Sequence, residues 1–486
     1  LNFAAVIGSI SSIMAAFGGL MLMPALVGLA YKEPAWLAFV ISGAATALLG
    51  FAGMWAVTSA RNGVRARMTD RDGMAATALG WTACSLIGAL PFVMTGAIPT
   101  FTGAVFEAMS GLTTTGATVL ADVEGQSHAV LFWRALLNWL GGMGIVVLSI
   151  ALLPGLNVGG SQLFRAEVPG IVNDRLVPKI RETAKRLWGI YILLTLIEAV
   201  LLRLFGMSLF DAVIHSLTSV ATGGFSTANK SIEAWASPAI QITITVFMFL
   251  AGINFTLHYR VLRGAPRPVF RDDELKSYIG IILVATAIIA VDLAVHSFYT
   301  IGGSVLRSSF QVVSILTTTG FTTANYDLWP PLSKFILLLL MFVGGCAGST
   351  AGGVKVVRWH VLVNHAVRDM KRTVRPRRVT VLRLNGRAVP EDVVSSVLGF
   401  VIMYLTVFVV SVLAMSALGF DLPSAVGAVV CTLGNVGPGF GAVGPAANFS
   451  AVPAVGQWLL IFCMLVGRLE VYTVLVLLMP GFWRRT

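Results

Sequence analysis

Charge is what this sequence has least of. Asp, Glu, Lys and Arg make up 12% of its 486 residues against 56% apolar residues, with a mean hydropathy of +0.84. A chain so composed has too little polar surface for a water-soluble globule, so most of it must face lipid. Cysteine is also sparse: Cys84, Cys346, Cys431 and Cys463 each lie in or beside apolar stretches, with neither metal-ligand spacing nor a paired framework. They read as small buried hydrophobes, which excludes a zinc site and a disulfide scaffold. Catalytic signatures are missing too. There is no His-Glu zinc helix, no Gly-x-Ser-x-Gly elbow between a strand and a helix, and no carboxylate pair at useful spacing, so an enzyme acting on a lipid-linked substrate lacks its machinery. No Walker loop occurs and no Gly-x-Gly-x-x-Gly follows a strand, so the chain is expected to bind no nucleotide itself.

What the sequence does have is long apolar runs. Ten are long enough to span a bilayer, near 3–30, 35–58, 74–96, 128–153, 187–206, 237–258, 276–298, 332–362, 393–418 and 453–479. The first has no small-residue cleavage site and is expected to be a retained helix. Four further apolar stretches are too short to cross: Phe101 to Leu112, Leu209 to Val220, Ser304 to Leu316 and Leu422 to Leu433. Their length is that of re-entrant helices. The expected fold is therefore an all-α membrane protein of ten transmembrane helices plus four re-entrant pore helices. After two extra N-terminal helices (1–60), four helix–pore loop–helix repeats (73–154, 185–258, 274–363 and 392–480) surround one pore with pseudo-symmetry.

The excess of 34 Lys+Arg over 22 Asp+Glu sits in short loops between spans, which argues against a nucleic-acid surface. Arg61, Arg65, Arg67 and Arg71 follow span two, Arg165 to Arg186 span four, and Arg260 to Arg271 span six. The stretch from Arg358 to Arg387 follows span eight, and Arg484 and Arg485 end the chain. The positive-inside rule makes these loops cytoplasmic and both termini with them. The loop 363–392 has too little apolar content to bury a core; its basic run suits anionic lipid or a soluble partner.

A glycine-centred loop follows each short helix: Thr113-Thr114-Thr115-Gly116, Ala221-Thr222-Gly223-Gly224, Thr317-Thr318-Thr319-Gly320 and Asn435-Val436-Gly437. The glycines recur at intervals of 108, 96 and 117 residues. Glycine lets the backbone turn so that carbonyls face an axis. A ring of carbonyl oxygens replaces the water shell of a permeating cation without holding it too tightly, and the negative C-terminal ends of four short helices favour a cation at the centre. The second loop carries two glycines; matching Gly224-Phe225-Ser226-Thr227-Ala228-Asn229 to Gly320-Phe321-Thr322-Thr323-Ala324-Asn325 selects Gly224 as the filter position. The fourth loop departs from the threonine pattern, so strict fourfold symmetry is excluded.

These loops, with Gly344-Gly345-Cys346-Ala347-Gly348-Ser349-Thr350-Ala351-Gly352-Gly353-Val354-Lys355 in span eight and Gly467-Arg468-Leu469-Glu470 in span ten, resemble the Trk/Ktr/HKT potassium transporters over essentially the whole chain, most closely the bacterial TrkH branch. The resemblance implies a potassium-selective pore subunit of the bacterial inner membrane, working as a homodimer under a TrkA-type cytosolic nucleotide-binding ring. Glycine at Gly116, Gly224, Gly320 and Gly437 matches the potassium-preferring pattern rather than the sodium-preferring serine variant, with K+ held at Thr115, Gly224, Thr319 and Val436. Five glycines interrupt span eight and predict that it unwinds. The resemblance makes Ala347, Gly348, Ser349, Thr350, Ala351, Gly352 and Gly353 a gate.

Lys355 and Arg468 are cations at membrane depth, expected to face the pore as an electrostatic barrier or to pair with Glu470 and backbone carbonyls. Arg134 and Asn138 are candidates to hold the filter, with snorkelling the alternative for Arg134. Glu198 and Arg203 are expected to form an internal pair, His215 to be structural, and Asp292 to lie at the outer interface. Two other transport readings stay open: a sodium or weakly selective cation channel, and an ion-coupled secondary transporter.

Overall fold

The computed structural model describes residues 1–60, 69–151, 180–375 and 381–484. The basic residues Arg61, Arg65, Arg67, Arg165, Arg175, Lys179, Arg377, Arg378 and Arg485 lie outside them. The described chain is helical apart from one two-stranded hairpin, Arg383–Leu384 with Arg387–Ala388. Among the described residues six helices are long and apolar enough to cross a membrane, or seven if one bent pair counts as a single span. Their outward faces stay apolar: on Asp273–Val295, Leu283, Val284 and Val291 are exposed. In water such a surface would drive aggregation; in lipid it is the solvent-facing surface, because the helix satisfies its own backbone.

The four short helices form where the apolar runs place them, at Phe101–Leu112, Leu209–Val220, Ile301–Leu316 and Leu422–Leu433. Hydroxyl caps start three of them: Thr100, Ser208 and Thr300 accept the N–H groups of Gly103, Asp211 and Gly303. The third begins at Ile301 rather than Ser304 because Thr300 is that cap. Each then packs against long helices of its own repeat, buried along most of its length.

Three expected spans are not continuous helices. Span six bends by 100° between Pro238–Ala251 and Phe255–Leu262. Span eight stops at Met341 and resumes as Val356–Val374. The two breaks satisfy each other: Cys346 N–H donates to Gly252 O at 2.9 Å, and Phe255 N–H donates to Gly348 O at 3.0 Å. Backbone released from a helix at membrane depth needs such partners. Span ten breaks at Glu470, whose φ of 66° is a left-handed conformation rare for a non-glycine residue.

The segment after span eight also corrects the expectation of a coreless loop. Leu382, Leu384 and Val389 are buried in one cluster with Ala347, Val357, Val361, Val394 and Val397. Ten residues too few to fold alone borrow the faces of two helices.

Candidate functional site: a ring of glycine turns and the broken helix beside it

The same backbone motif ends all four short helices. Thr114, Thr222, Thr318 and Asn435 have φ of 52°, 55°, 58° and 55°, and two residues later Gly116, Gly224, Gly320 and Gly437 have φ of 79°, 70°, 82° and 100°. Between them, Thr115, Gly223, Thr319 and Val436 donate their N–H groups back to Ser110, Thr218, Ser314 and Cys431 carbonyls at 2.7–2.8 Å. This is the Schellman way of closing a helix, with its left-handed residue usually glycine. Three β-branched threonines occupy that position here, a conformation the surroundings must enforce.

The four turns close on one another in order. A methyl group built on Gly116 would collide with the carbonyl oxygen of Gly223, one on Gly224 with that of Thr319, one on Gly320 with that of Val436, and one on Gly437 with that of Thr115. Each glycine thus abuts a carbonyl of the next repeat, and the fourth returns to the first. The register corrects one sequence assignment. The oxygen level with those of Thr115, Thr319 and Val436 belongs to Gly223, not Gly224, because the left-handed residue in the second loop is Thr222.

Side chains stitch the ring together. Asn435, the departure in the fourth loop, donates from its amide to Thr115 Oγ1 and to Met464 O, both at 3.0 Å. The Thr115 hydroxyl lies 2.8 Å from that of Thr113, which donates to Met109 O at 2.7 Å. The asparagine therefore supplies a bridge between repeats four and one that a threonine is too short to make. At the mouth, Asn229 links repeats one and two through Val123 N–H (2.7 Å) and Asp122 (3.1 Å). Tyr326 donates to Gly439 O at 2.9 Å, and Phe449 N–H donates to Thr118 O at 2.8 Å. The Asn229 amide and the Gly125 N–H hold the Asp122 carboxyl below the usual carboxylate range, so this entrance keeps its negative charge into mildly acidic conditions.

Behind the ring, Arg134 is buried rather than snorkelling. Its Nε donates to Glu107 Oε1 at 2.7 Å, and its Nη atoms donate to Ser226 O and Thr118 Oγ1, both at 3.2 Å. The guanidinium carbon also stands 4.1 Å from the centre of the Phe225 ring. Glu107 in turn accepts Val119 N–H at 2.9 Å. Asn138 is fully buried, its amide against Gly223. Removing one partner of such a buried pair leaves the other charge uncompensated, so Arg134→Met is expected to cost about 3–5 kcal/mol of stability. Thermal unfolding in detergent measures this, and Glu107→Gln/Arg134→Met is expected to be milder than Arg134→Met alone.

The broken part of span eight lies against the ring on the side where the short helices end. Gly352 N–H donates to Thr318 Oγ1 at 2.6 Å, and Thr350 Oγ1 donates to Val220 O at 3.1 Å. Arg468, 2% exposed, donates to Thr350 O at 2.7 Å and to Gly141 O at 3.0 Å. Lys355 donates from its ammonium to Ala351 O. Both intramembrane cations are thus bound to this one segment. Glu470 pairs instead with Arg358 at 2.7 Å, so its expected bond to Arg468 is not formed.

Other sequence assignments fare unevenly. His215 bridges Asp211 O (2.8 Å) and Ser226 Oγ (2.9 Å), a structural role. Glu198 and Arg203 do not pair; Arg203 donates to Met207 O at 3.1 Å, while Glu198 is buried beside Ser219. Residues five apart on a helix point roughly 140° away from each other. Asp292 lies three residues before the end of the Asp273–Val295 helix; it is buried, and it accepts the backbone N–H and hydroxyl of Ser333 at 3.1 and 2.5 Å. One residue escaped sequence reading. Glu274 is buried and accepts the N–H groups of Ala347 (2.7 Å) and Val357 (3.1 Å) through one oxygen. Its only signal was a third carboxylate after Asp272 and Asp273, at a helix start that one would have capped.

Comparison with known proteins agrees with this architecture. Residues 37–483 match the TrkH family model, described as a cation transport protein. The chain is 43% identical over 488 residues to the Trk system potassium uptake protein TrkH of Salmonella typhimurium, covering all of both chains. It is 35% identical to the Trk system potassium uptake protein TrkG of Escherichia coli, over 96% of this chain and 95% of that one. The crystal structure of the potassium transporter TrkH from Vibrio parahaemolyticus superposes with a TM-score of 0.89 at 39% identity, covering all of both chains. An all-α, multi-pass membrane fold, shared along the full length with these proteins, makes this chain a member of the TrkH family of cation transport proteins rather than an enzyme.

Proposed function

We propose that this chain is a potassium-selective pore subunit that carries K+ across the bacterial inner membrane through the ring of glycine turns. The observation that carries the reading is the cyclic fit of each glycine to a carbonyl of the next repeat. Four backbone oxygens, those of Thr115, Gly223, Thr319 and Val436, strip water from the ion, and Gly116, Gly224, Gly320 and Gly437 make the close approach of adjacent loops possible. The four short helices end at the ring, so their partial negative charges favour a cation there. The relatives' names, potassium uptake proteins, support the same ion.

In this reading ten membrane crossings place four repeats around one pore, with both termini and the basic loops cytoplasmic. The segment Ala347 to Gly353 closes the path below the ring, held by Arg468 and Lys355, whose charges add a barrier to cation leakage. The chain works as a homodimer, and a TrkA-type nucleotide-binding ring acts on it from the cytoplasm. The cytoplasmic loops at 155–185 and 364–391 are the natural places to receive that ring; the first lies largely outside the described residues, and the second includes the hairpin.

The test is ion flux through the purified protein in sealed liposomes. Uptake of Rb+ competed strongly by K+ and weakly by Na+ is the expected result. Equal competition by Na+ would make this a weakly selective channel, and accumulation beyond the imposed potential would make it a coupled transporter.

A further inference from the structure

We infer that Glu274 is a latch that holds the Ala347–Gly353 segment in its closed position, and that the Arg383–Ala388 hairpin is the handle by which it is released. The inference rests on the gating role proposed above for that segment and goes beyond it by naming what sets its position.

The latch is a single carboxylate oxygen taking two N–H groups from either side of the Ala347–Gly353 segment: Ala347 at its start and Val357 in the first turn of the following helix. Neither N–H belongs to a regular helical ladder. Both are buried, so an unpaired donor there is costly, and a carboxylate is the strongest neutralising partner available. Holding both ends fixes the separation between the break and the helix that follows it.

The handle reaches the same place by two routes. The polar route is reciprocal: Asn385 N–H donates to Asp273 Oδ2 and Asp273 N–H donates to Asn385 Oδ1, both at 2.7 Å, while the Asn385 amide donates to Asp272 Oδ2 at 3.0 Å. Asp272 is also the N-cap of the helix that begins at Asp273, so the hairpin turn grips the helix end one residue before Glu274. The apolar route places Leu382 and Leu384 in one buried cluster with Ala347 and Val357, the two residues whose N–H groups Glu274 holds. A force on the hairpin therefore moves the capped helix end and the apolar packing of the break together. Arg383, Asn385, Gly386 and Arg387 of the hairpin are exposed, within reach of a soluble partner.

The experiment uses the full chain in liposomes, in a background where Cys84, Cys431 and Cys463 are alanine. Cys346, the residue before the Ala347–Gly353 segment and buried, then reports on the segment's position through a membrane-permeant maleimide. Glu274→Ala is expected to raise basal Rb+ flux about tenfold, which corresponds to ~1.4 kcal/mol, and to expose Cys346. Glu274→Gln keeps an acceptor oxygen at the same reach and is expected to stay mostly closed. Asn385→Ala should expose Cys346 to a smaller degree and add nothing on top of Glu274→Ala. A folded Glu274→Ala protein with wild-type protection of Cys346 overturns the latch, and additive effects of the two changes overturn the link to the hairpin. If Glu274→Ala fails to fold, Asn385→Ala decides, and unchanged Cys346 protection in that variant overturns the inference. Exposure of Cys346 without a change in flux upholds the latch and instead refutes the gating role of the segment.

Discussion

Replacing Gly320 with alanine is expected to lower K+ flux, or its preference over Na+, by at least about tenfold. The residue has φ of 82°, a conformation that costs an L residue about 1–2 kcal/mol. The added methyl would also collide with the Val436 carbonyl and with the Pro438 ring, neither of which is the loose end of a flexible side chain. The ring can accept the methyl only by moving a carbonyl that the permeating ion needs. Gly280→Ala is the control, since nothing lies within 4 Å of a methyl built there; its flux is expected to match wild type. Equal flux and selectivity in both variants would contradict the role assigned to the ring.

Arg468→Met is expected to act in the opposite direction and raise basal flux by about tenfold or more. The arginine is buried, and it holds Thr350 O and Gly141 O. A hydrogen bond to a charged group contributes about 1.5–3 kcal/mol, so losing two frees the segment beside the ring. On the proposed reading the change also removes a fixed positive charge from the cation's path. Lys355→Met is expected to have a smaller effect because its ammonium holds Ala351 O, within its own segment. Rb+ efflux from liposomes measures both, and an unchanged rate in a folded Arg468→Met protein would remove this residue from the gate.

The parts of the molecule that could be read from sequence are those encoded locally. A twelve-residue apolar run after a hydroxyl cap is sufficient to set the limits of the Phe101–Leu112 and Leu209–Val220 helices. A threonine-glycine turn after such a run marks where a helix must end. Aligning the second loop with the third placed Gly224 level with the other ring glycines, as its φ of 70° bears out; that the oxygen beside Gly116 belongs to Gly223, one residue earlier, follows only from the contact between repeats. The breaks at Gly252 and Glu470 were hidden for a different reason: hydropathy stays high through both, and the partners that satisfy the freed backbone come from distant parts of the chain. Glu274 and Asp292 each looked like helix-end carboxylates. Their partners, Ala347 and Ser333, are 73 and 41 residues away, separations that no local pattern reveals. Asn435 looked like a defect in a repeat until its amide was seen to reach Thr115.

Anomalous diffraction from crystals grown in Rb+ tests the central claim most directly. The account predicts an ion on the axis of the ring, coordinated by the carbonyl oxygens of Thr115, Gly223, Thr319 and Val436, and its loss in Gly320→Ala. Rubidium bound only away from these four oxygens, in a protein that transports it, would contradict the account.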